Sequence, residues 1–169
     1  HGMTDREVSR ELCRHAVQNL EQTTERMDLA QLARVVELFR QSEQVYFVGD
    51  MRELECFYSL QLDLMCKGQA VYHCNFDEVE KDELPAMNEK TVVCIFSVSE
   101  RYYPEERQLL LEEARACRAH TVWFTQEGDA GEAEETCYYG TAQSKNMGYY
   151  SLLLLEQVMS AMLYRSDDA

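Results

Sequence analysis

The sequence predicts an α/β protein, a three-layer α/β/α sandwich with five mainly parallel strands that is preceded by N-terminal helices. Short apolar segments with strand character alternate with segments of helical periodicity from residue 44 onward. One of these segments, 91–97, is apolar almost throughout, which is typical of a central parallel strand covered on both faces. Because strand–helix–strand alternation at this spacing forms crossover connections, we expect a parallel sheet with helices on both faces.

The N-terminal segment, residues 3–42, predicts two helices. The first helix begins at a capping box, Thr4–Glu7, in which a hydroxyl is followed three residues later by a carboxylate. Apolar residues then recur every fourth position and lie on one face of the helix: Val8, Leu12, Ala16 and Leu20.

A second helix is expected to begin at Asp28, with Gln31 as the partner in its capping box and Met27 and Leu32 as a hydrophobic staple. Its apolar stripe consists of Leu29, Leu32, Val35, Val36 and Phe39.

The remaining elements follow in alternation. The predicted strands cover residues 45–49, 70–74, 91–97, 120–125 and 136–140. The predicted helices cover residues 52–67, a short segment opened by the capping box of 75–78, residues 104–118 and residues 147–164. Gly68 is expected to end the first of these helices, and Pro104 to lie in the first turn of the third.

Length and composition indicate one globular domain, because 169 residues with 46% apolar and 28% charged side chains can bury a core. We expect residues 3–169 to form this domain, with helices in 3–42 and the α/β core in 44–169. His1 and Gly2 precede the first methionine and are expected to be remnants of an expression tag.

A formal net charge of −15 argues against direct binding of this chain to DNA, RNA or anionic lipid. The longest purely apolar run, 152–155, is far shorter than the roughly 20 residues that span a bilayer. We therefore expect a cytoplasmic protein without a membrane partner. Alternatively, the negative net charge serves only to keep a cytosolic domain soluble.

The seven cysteines are scattered and show no Cys-x-x-Cys spacing. They predict reduced, buried thiols and neither a disulfide framework nor a zinc site. His73 and Cys74 follow one another at a strand end, but no ligand spacing surrounds them. We expect no metal and no cofactor.

Ligands of parallel sheets bind at the carboxyl ends of the strands, so the turns after Gly49, Ser97 and Thr125 are candidate sites. Ser97 and Ser99 place two hydroxyls just before a helix, where they and the backbone N–H groups can bind an oxyanion. The same serines can equally serve only to cap the helix. Arg52 can grip an anion or pair with a neighbouring carboxylate.

Five segments, taken in order, have the pattern of one known family. They are LAQLARVVELFRQSEQVYFVGD, GQAVYHC, TVVCIFSVSE, EARACRAHTVWFTQ and SKNMGYYSLLLLEQVMSAML. In spacing and apolar pattern the chain resembles a sugar isomerase (SIS) domain from about residue 16 onward, and within that superfamily the C-terminal effector domain of RpiR-type transcriptional regulators.

The ligand motifs of that family are only half present. Its first turn is Gly-x-Gly followed by hydroxyl residues, whereas this chain has Gly49 and then Met51, Arg52 and Glu53. Its second motif is Ser-x-Ser-Gly followed closely by Thr, and here Glu100 replaces the glycine. The resemblance therefore implies these candidate ligand-binding residues: Arg52, Glu53, Ser97, Ser99, Glu100, Tyr102 and Ser144.

The resemblance implies an effector-sensing, dimerising domain of a regulator that binds a phosphosugar or a related metabolite. DNA would be bound by a helix-turn-helix domain that precedes Met3 in a longer gene product. The alternatives are a stand-alone phosphosugar isomerase and a degenerate SIS domain kept for dimerisation. No acid–base pair can be assigned from the sequence, so an enzyme is disfavoured. Glu156, inside the apolar terminal helix, is expected near a pocket or a dimer interface.

Overall fold

The structure is a computed structural model that describes residues 2–79, 84, 86–96, 104–126, 133–140 and 148–165. It opens with two helices, α1 (Asp5–Arg26) and α2 (Leu29–Gln41). The capping box of α1 is confirmed, because the Glu7 carboxylate accepts from the Thr4 backbone N–H at 2.8 Å. In α2 the Asp28 cap is confirmed, but the expected role of Gln31 is wrong. Its amide donates to Glu135 at 3.3 Å, because the first residue of a neighbouring strand lies within its reach.

The described residues contain five strands, β1 (Gln44–Gly49), β2 (Ala70–Asn75), β3 (Thr91–Phe96), β4 (His120–Thr125) and β5 (Glu135–Tyr138). They form one sheet in the order β2-β1-β3-β4-β5, and every neighbouring pair is parallel. The predicted sheet is thereby confirmed. All carboxyl ends of its strands lie along the same edge, which is called the carboxyl edge below.

The connections carry the other helices. These are α3 (Met51–Cys56), α4 (Tyr58–Cys66), a 3₁₀ turn (Phe76–Glu78), α5 (Pro104–Ala116) and α6 (Gly148–Arg165). The capping box of 75–78 thus opens a single 3₁₀ turn, with the Glu78 carboxylate accepting from the Asn75 N–H at 3.0 Å. Gly68 follows α4 at φ +96°, a left-handed conformation that favours glycine, so the predicted helix end is confirmed.

The helix expected over 52–67 is interrupted at Phe57. This residue has φ −99° and ψ 7°, and its ring is fully buried, 4.8 Å from the ring of Phe96 and 5.0 Å from that of Phe124. The Leu54 carbonyl accepts from the Phe57 N–H at 3.2 Å and from the Gln61 side chain at 3.1 Å. Burial of an aromatic anchor therefore divides one predicted helix into two.

The sheet separates two apolar clusters, as a three-layer architecture requires. One cluster joins the strands to α2, α3, α4 and α6, and the other joins their opposite face to α5 and the 3₁₀ turn. Every residue of β3 is buried, which confirms the prediction of a central strand covered on both faces.

Much of the predicted apolar face of α1 is open to solvent. Val8 is 42% exposed and Leu12 is 49% exposed, whereas the buried residues of this helix are Asn19 and Thr23 near its end. The first half of this apolar face is therefore not buried within the chain. The element against which α1 packs is α6.

All seven cysteines are free thiols. Only Cys94 and Cys137 are buried, while Cys13 and Cys66 are exposed. The expectation of buried thiols is thus correct for part of the set only.

Candidate functional site

The candidate site is the carboxyl edge of the sheet, where β1 ends at Gly49 and β4 at Thr125. Of the residues predicted to bind a ligand, Arg52 and Glu53 lie in the turn after β1. The others lie outside the described residues, and their role stays a prediction: Ser97, Ser99, Glu100, Tyr102 and Ser144.

In the turn after β1, backbone N–H groups donate hydrogen bonds to carboxylates of the same turn. Asp50 caps α3, and its Oδ1 accepts from the backbone N–H groups of Arg52 at 2.9 Å and Glu53 at 3.0 Å. The Glu53 side chain folds back, and its Oε2 accepts from the Asp50 N–H at 2.8 Å. This reciprocal arrangement is a capping box, which satisfies N–H groups that a helix start leaves without intrahelical partners.

Glu53 is fully buried, and the glycine before it makes room for its carboxylate. A Cβ placed on Gly49 would lie 2.6 Å from Glu53 Oε2 and 2.9 Å from Phe96 Cδ2. Gly49 is therefore required by close packing against these two side chains.

The same turn is connected to the start of α6. The guanidinium of Arg52 lies 5.7 Å from the centre of the Tyr149 ring, a cation–π distance. The Tyr149 hydroxyl donates a long hydrogen bond of 3.5 Å to Asp50 Oδ2, and the Cys56 thiol donates to the Tyr149 carbonyl, also at 3.5 Å. Arg52 is exposed, so its guanidinium is accessible from the carboxyl edge.

The Tyr139 hydroxyl and the Gln126 amide nitrogen, also at this edge, are buried and have no hydrogen-bond partner among the described residues. The amide of Gln126 occupies the space where Gly148 would carry a Cβ, so a larger residue at position 148 would require the Gln126 side chain to move. Gln126 was not predicted as a site residue, because no motif in the sequence distinguishes it.

The titratable groups around this turn respond to burial and to negative charge. Burial raises the pKa of Tyr149, and Asp50 and Glu53 raise it further, while Arg52 lowers it. Burial also raises the pKa of the Cys56 thiol to about 11, with contributions from Glu53, Glu55 and Asp50. Both groups are therefore neutral at pH 7.

Comparison with known proteins identifies the fold. No protein-family model matches the sequence, and no curated protein matches it significantly. Solved structures do match. Vibrio vulnificus NanR complexed with ManNAc-6P superposes with a TM-score of 0.78 at 18% identity, over 95% of this chain and 64% of that one.

Two further structures cover nearly the whole of both chains. The sugar isomerase domain of an RpiR transcription factor from Sphaerobacter thermophilus has a TM-score of 0.73 at 15% identity, over 94% of this chain and 90% of that one. A candidate sugar-phosphate isomerase from Listeria monocytogenes has a TM-score of 0.77 at 10% identity, over 99% of this chain and 94% of that one. The chain has the SIS-domain fold. It spans about two thirds of the NanR chain.

Within this SIS fold, the end of α1 holds the backbone at the carboxyl edge. Thr23 Oγ1 accepts from the Gly140 N–H at 2.8 Å and donates to the Asn19 carbonyl at 2.7 Å. Arg26 Nη1 donates to the Gly140 carbonyl at 2.6 Å and to the Gln126 carbonyl at 3.3 Å. Sequence reasoning missed these contacts, because Thr23 and Arg26 resemble ordinary polar residues of a helix end.

Glu156 lies between α6 and α4 of the SIS fold and is fully buried. Its Oε2 accepts from the Gln157 amide at 2.6 Å, and its Oε1 has no hydrogen-bond partner among the described residues. Burial raises the pKa of this carboxyl, although the Gln157 amide and the Leu60 backbone lower it in part. Its expected position near a pocket or a dimer interface stays a prediction.

One histidine, His120, lies away from these groups. His120 begins β4, at the opposite end from the candidate site, and its Nδ1 lies 2.7 Å from Glu134 Oε2. In the part of the chain that the structure describes, no three metal-ligating side chains come together. A helix of sufficient length and hydropathy to cross a membrane is likewise not found there.

Proposed function

We propose that this chain is the effector-binding and dimerising domain of an RpiR-type transcriptional regulator, with a phosphosugar or related metabolite as its effector. The proposal rests chiefly on the similarity to NanR, which extends over 95% of this chain and whose structure was determined with ManNAc-6P. The RpiR sugar isomerase domain supports the same assignment. The ligand would bind at the carboxyl edge, where Arg52 and Tyr149 are adjacent.

The phosphate would lie on Ser97, Ser99 and the backbone N–H groups that follow, with Arg52 closing over it. The turn after β1 favours this placement, because the N–H groups of Asp50 and Glu53 already donate to carboxylates. In that turn Arg52 is the side chain that can add donors to a phosphate, and a guanidinium can do so through two parallel bonds.

A calorimetric panel of hexose, hexosamine and pentose phosphates, including ManNAc-6P, tests this function on the wild type and on Ser97→Ala/Ser99→Ala. The double variant should lose about 1.5–3 kcal/mol of binding free energy for each hydrogen bond to the charged phosphate. If a compound binds both proteins equally, the placement of the phosphate is wrong. If no compound binds the wild type, the effector class is wrong.

Phosphosugar isomerisation is the second candidate, and the similarity to the Listeria protein favours it. The described residues argue against it. The carboxylates of Asp50 and Glu53 accept hydrogen bonds as helix caps, whereas proton transfer needs an acid or base that reaches the substrate. Turnover of a bound phosphosugar, followed by NMR, would establish the isomerase instead.

A homodimer forms part of the proposal, because neighbouring helices leave apolar side chains in solvent. On α4 these are Tyr58, Leu62 and Met65, and on α6 they include Tyr150 and Leu153. The exposed Val8 and Leu12 of α1 add a second stripe. A second copy of the chain would cover these faces.

A further inference from the structure

The turn after β1 is already occupied by an anion that belongs to the chain. Glu53 Oε2 accepts from the Asp50 N–H at 2.8 Å, and Asp50 Oδ1 accepts from two further N–H groups, those of Arg52 and Glu53. Three donors that a phosphate oxygen would need at the start of α3 are therefore engaged by carboxylates. These bonds are local and satisfy the helix start without any ligand.

The position of the Glu53 carboxylate leaves no room beside it. The carboxylate lies so close to Gly49 that an added Cβ would be 2.6 Å from Oε2, and the ring of Phe96 closes the other side. Glu53 is fully buried, so the carboxylate lies inside the fold rather than in solvent. A phosphate could reach the Asp50 N–H only by displacing this side chain.

The negative charge of the carboxylates at the turn also disfavours a bound phosphate. Asp50 and Glu53 are adjacent to each other, and the Tyr149 hydroxyl donates to Asp50 rather than outward. The guanidinium of Arg52 lies over the Tyr149 ring, at the start of α6. A dianion placed at the start of α3 would therefore lie beside two carboxylates.

We propose that Glu53 is a built-in anion that closes the Gly49 turn to phosphate, so that a ligand can present only an uncharged, hydroxyl-bearing group to this turn. The inference deepens the proposed function and rests on it. It determines the orientation of a phosphosugar at the carboxyl edge, because the phosphate must lie away from β1. Glu53 thereby acts as a specificity-determining residue without touching the ligand.

The test is an NMR titration of the ¹⁵N-labelled chain with inorganic phosphate at constant ionic strength, with the Asp50 amide as reporter. In the wild type the Asp50 cross-peak should not move. In Glu53→Ser, which frees the Asp50 N–H and the space beside Gly49, it should shift progressively with phosphate. Glu55→Ser is the matched control, since it removes an exposed carboxylate from the same helix and should leave the cross-peak in place.

A shift in the wild type would overturn the inference, because the donor would then be open to phosphate. An unmoved cross-peak in Glu53→Ser would also overturn it, since something other than Glu53 would close the turn. An equal shift in Glu55→Ser would overturn it as well, because the shift would then follow from the loss of any negative charge. If the serine variant does not fold, Glu53→Ala takes its place with the same expectations. Absence of phosphosugar binding by calorimetry leaves these outcomes unchanged, so the inference and the proposed function can fail separately.

Discussion

The carboxylate of Glu53 lies in the space that a side chain at Gly49 would occupy. A Cβ on Gly49 would lie 2.6 Å from Glu53 Oε2, well inside van der Waals contact. The glycine and the glutamate are therefore mutually dependent: the first provides the space, and the second fills it with a hydrogen-bond acceptor for the Asp50 N–H.

Gly49→Ala should destabilise the protein by about 1–3 kcal/mol, because the methyl group overpacks a buried site. In a Glu53→Ala background the cost should fall, since one of the two colliding groups is gone while Phe96 remains. Urea unfolding of the four proteins of this double-mutant cycle measures the coupling. Equal costs in both backgrounds would show that the contact with Glu53 is unimportant.

Thr23→Val should cost about 1–3 kcal/mol, because it leaves the buried Gly140 N–H without its acceptor. Thr24→Val is the matched control. Thr24 donates to the Leu20 carbonyl of its own helix at 2.9 Å and is exposed. Its loss should change stability by less than about 0.5 kcal/mol. Thermal unfolding compares the stability of the two variants. Equal melting temperatures would show that the hydrogen bond from Gly140 to Thr23 does not stabilise the protein.

Glu156→Gln should stabilise the protein at neutral pH, because the pKa of the buried Glu156 is raised and ionisation is unfavourable in the folded state. A raised carboxyl pKa means that the contribution of this group is greatest below the unfolded pKa and is lost as the pH rises through the folded pKa. The advantage of the glutamine should therefore shrink as the pH falls toward 4.5, the ordinary value.

Melting temperatures measured across pH test the expected pH dependence of Glu156→Gln. Glu135→Gln should show the opposite pH dependence. The pKa of Glu135 is lowered, chiefly by its hydrogen bond from Arg34, so its contribution is present above the ordinary value and is lost in acid. Glu135→Gln should destabilise at neutral pH, and its effect should vanish in acid. Parallel pH profiles for the two variants would refute the assignment for Glu156.

Leu153→Glu should convert a dimer into a monomer, because it places a charge in the exposed apolar face of α6. Gln108→Glu is the control, because it adds the same charge at an exposed position of α5, on the opposite face of the sheet. It should leave the dimer intact. Sedimentation at about 20 μM measures both, since extensive apolar interfaces persist at such concentrations. A monomeric wild type would reject the proposed dimer.

The chain by itself should not bind duplex DNA, because its formal net charge of −15 opposes approach to a polyanion. Fluorescence anisotropy with a labelled duplex at moderate ionic strength provides the measurement. Salt-sensitive binding would contradict the expectation and place a DNA contact on this chain.

The sequence alone determined the order of the strands and helices along the chain and the parallel arrangement of the strands. An apolar run such as β3 reports its burial directly, because a strand covered on both faces tolerates few polar side chains. The caps at Thr4 and Asp28 are equally local, since each involves groups within three residues of one another. Sequence reasoning also placed Arg52 and Glu53 at the carboxyl edge correctly.

Only the tertiary structure decided where individual polar and aromatic side chains find their partners. Glu53 turns inward because Gly49 and Phe96 shape its space, and Phe57 divides a helix because an aromatic cluster receives its ring. Thr23 and Arg26 hold Gly140, more than a hundred residues away along the chain. Periodicity records the average burial of a face, whereas a hydrogen bond or a close contact depends on which distant segment the fold brings within a few ångströms.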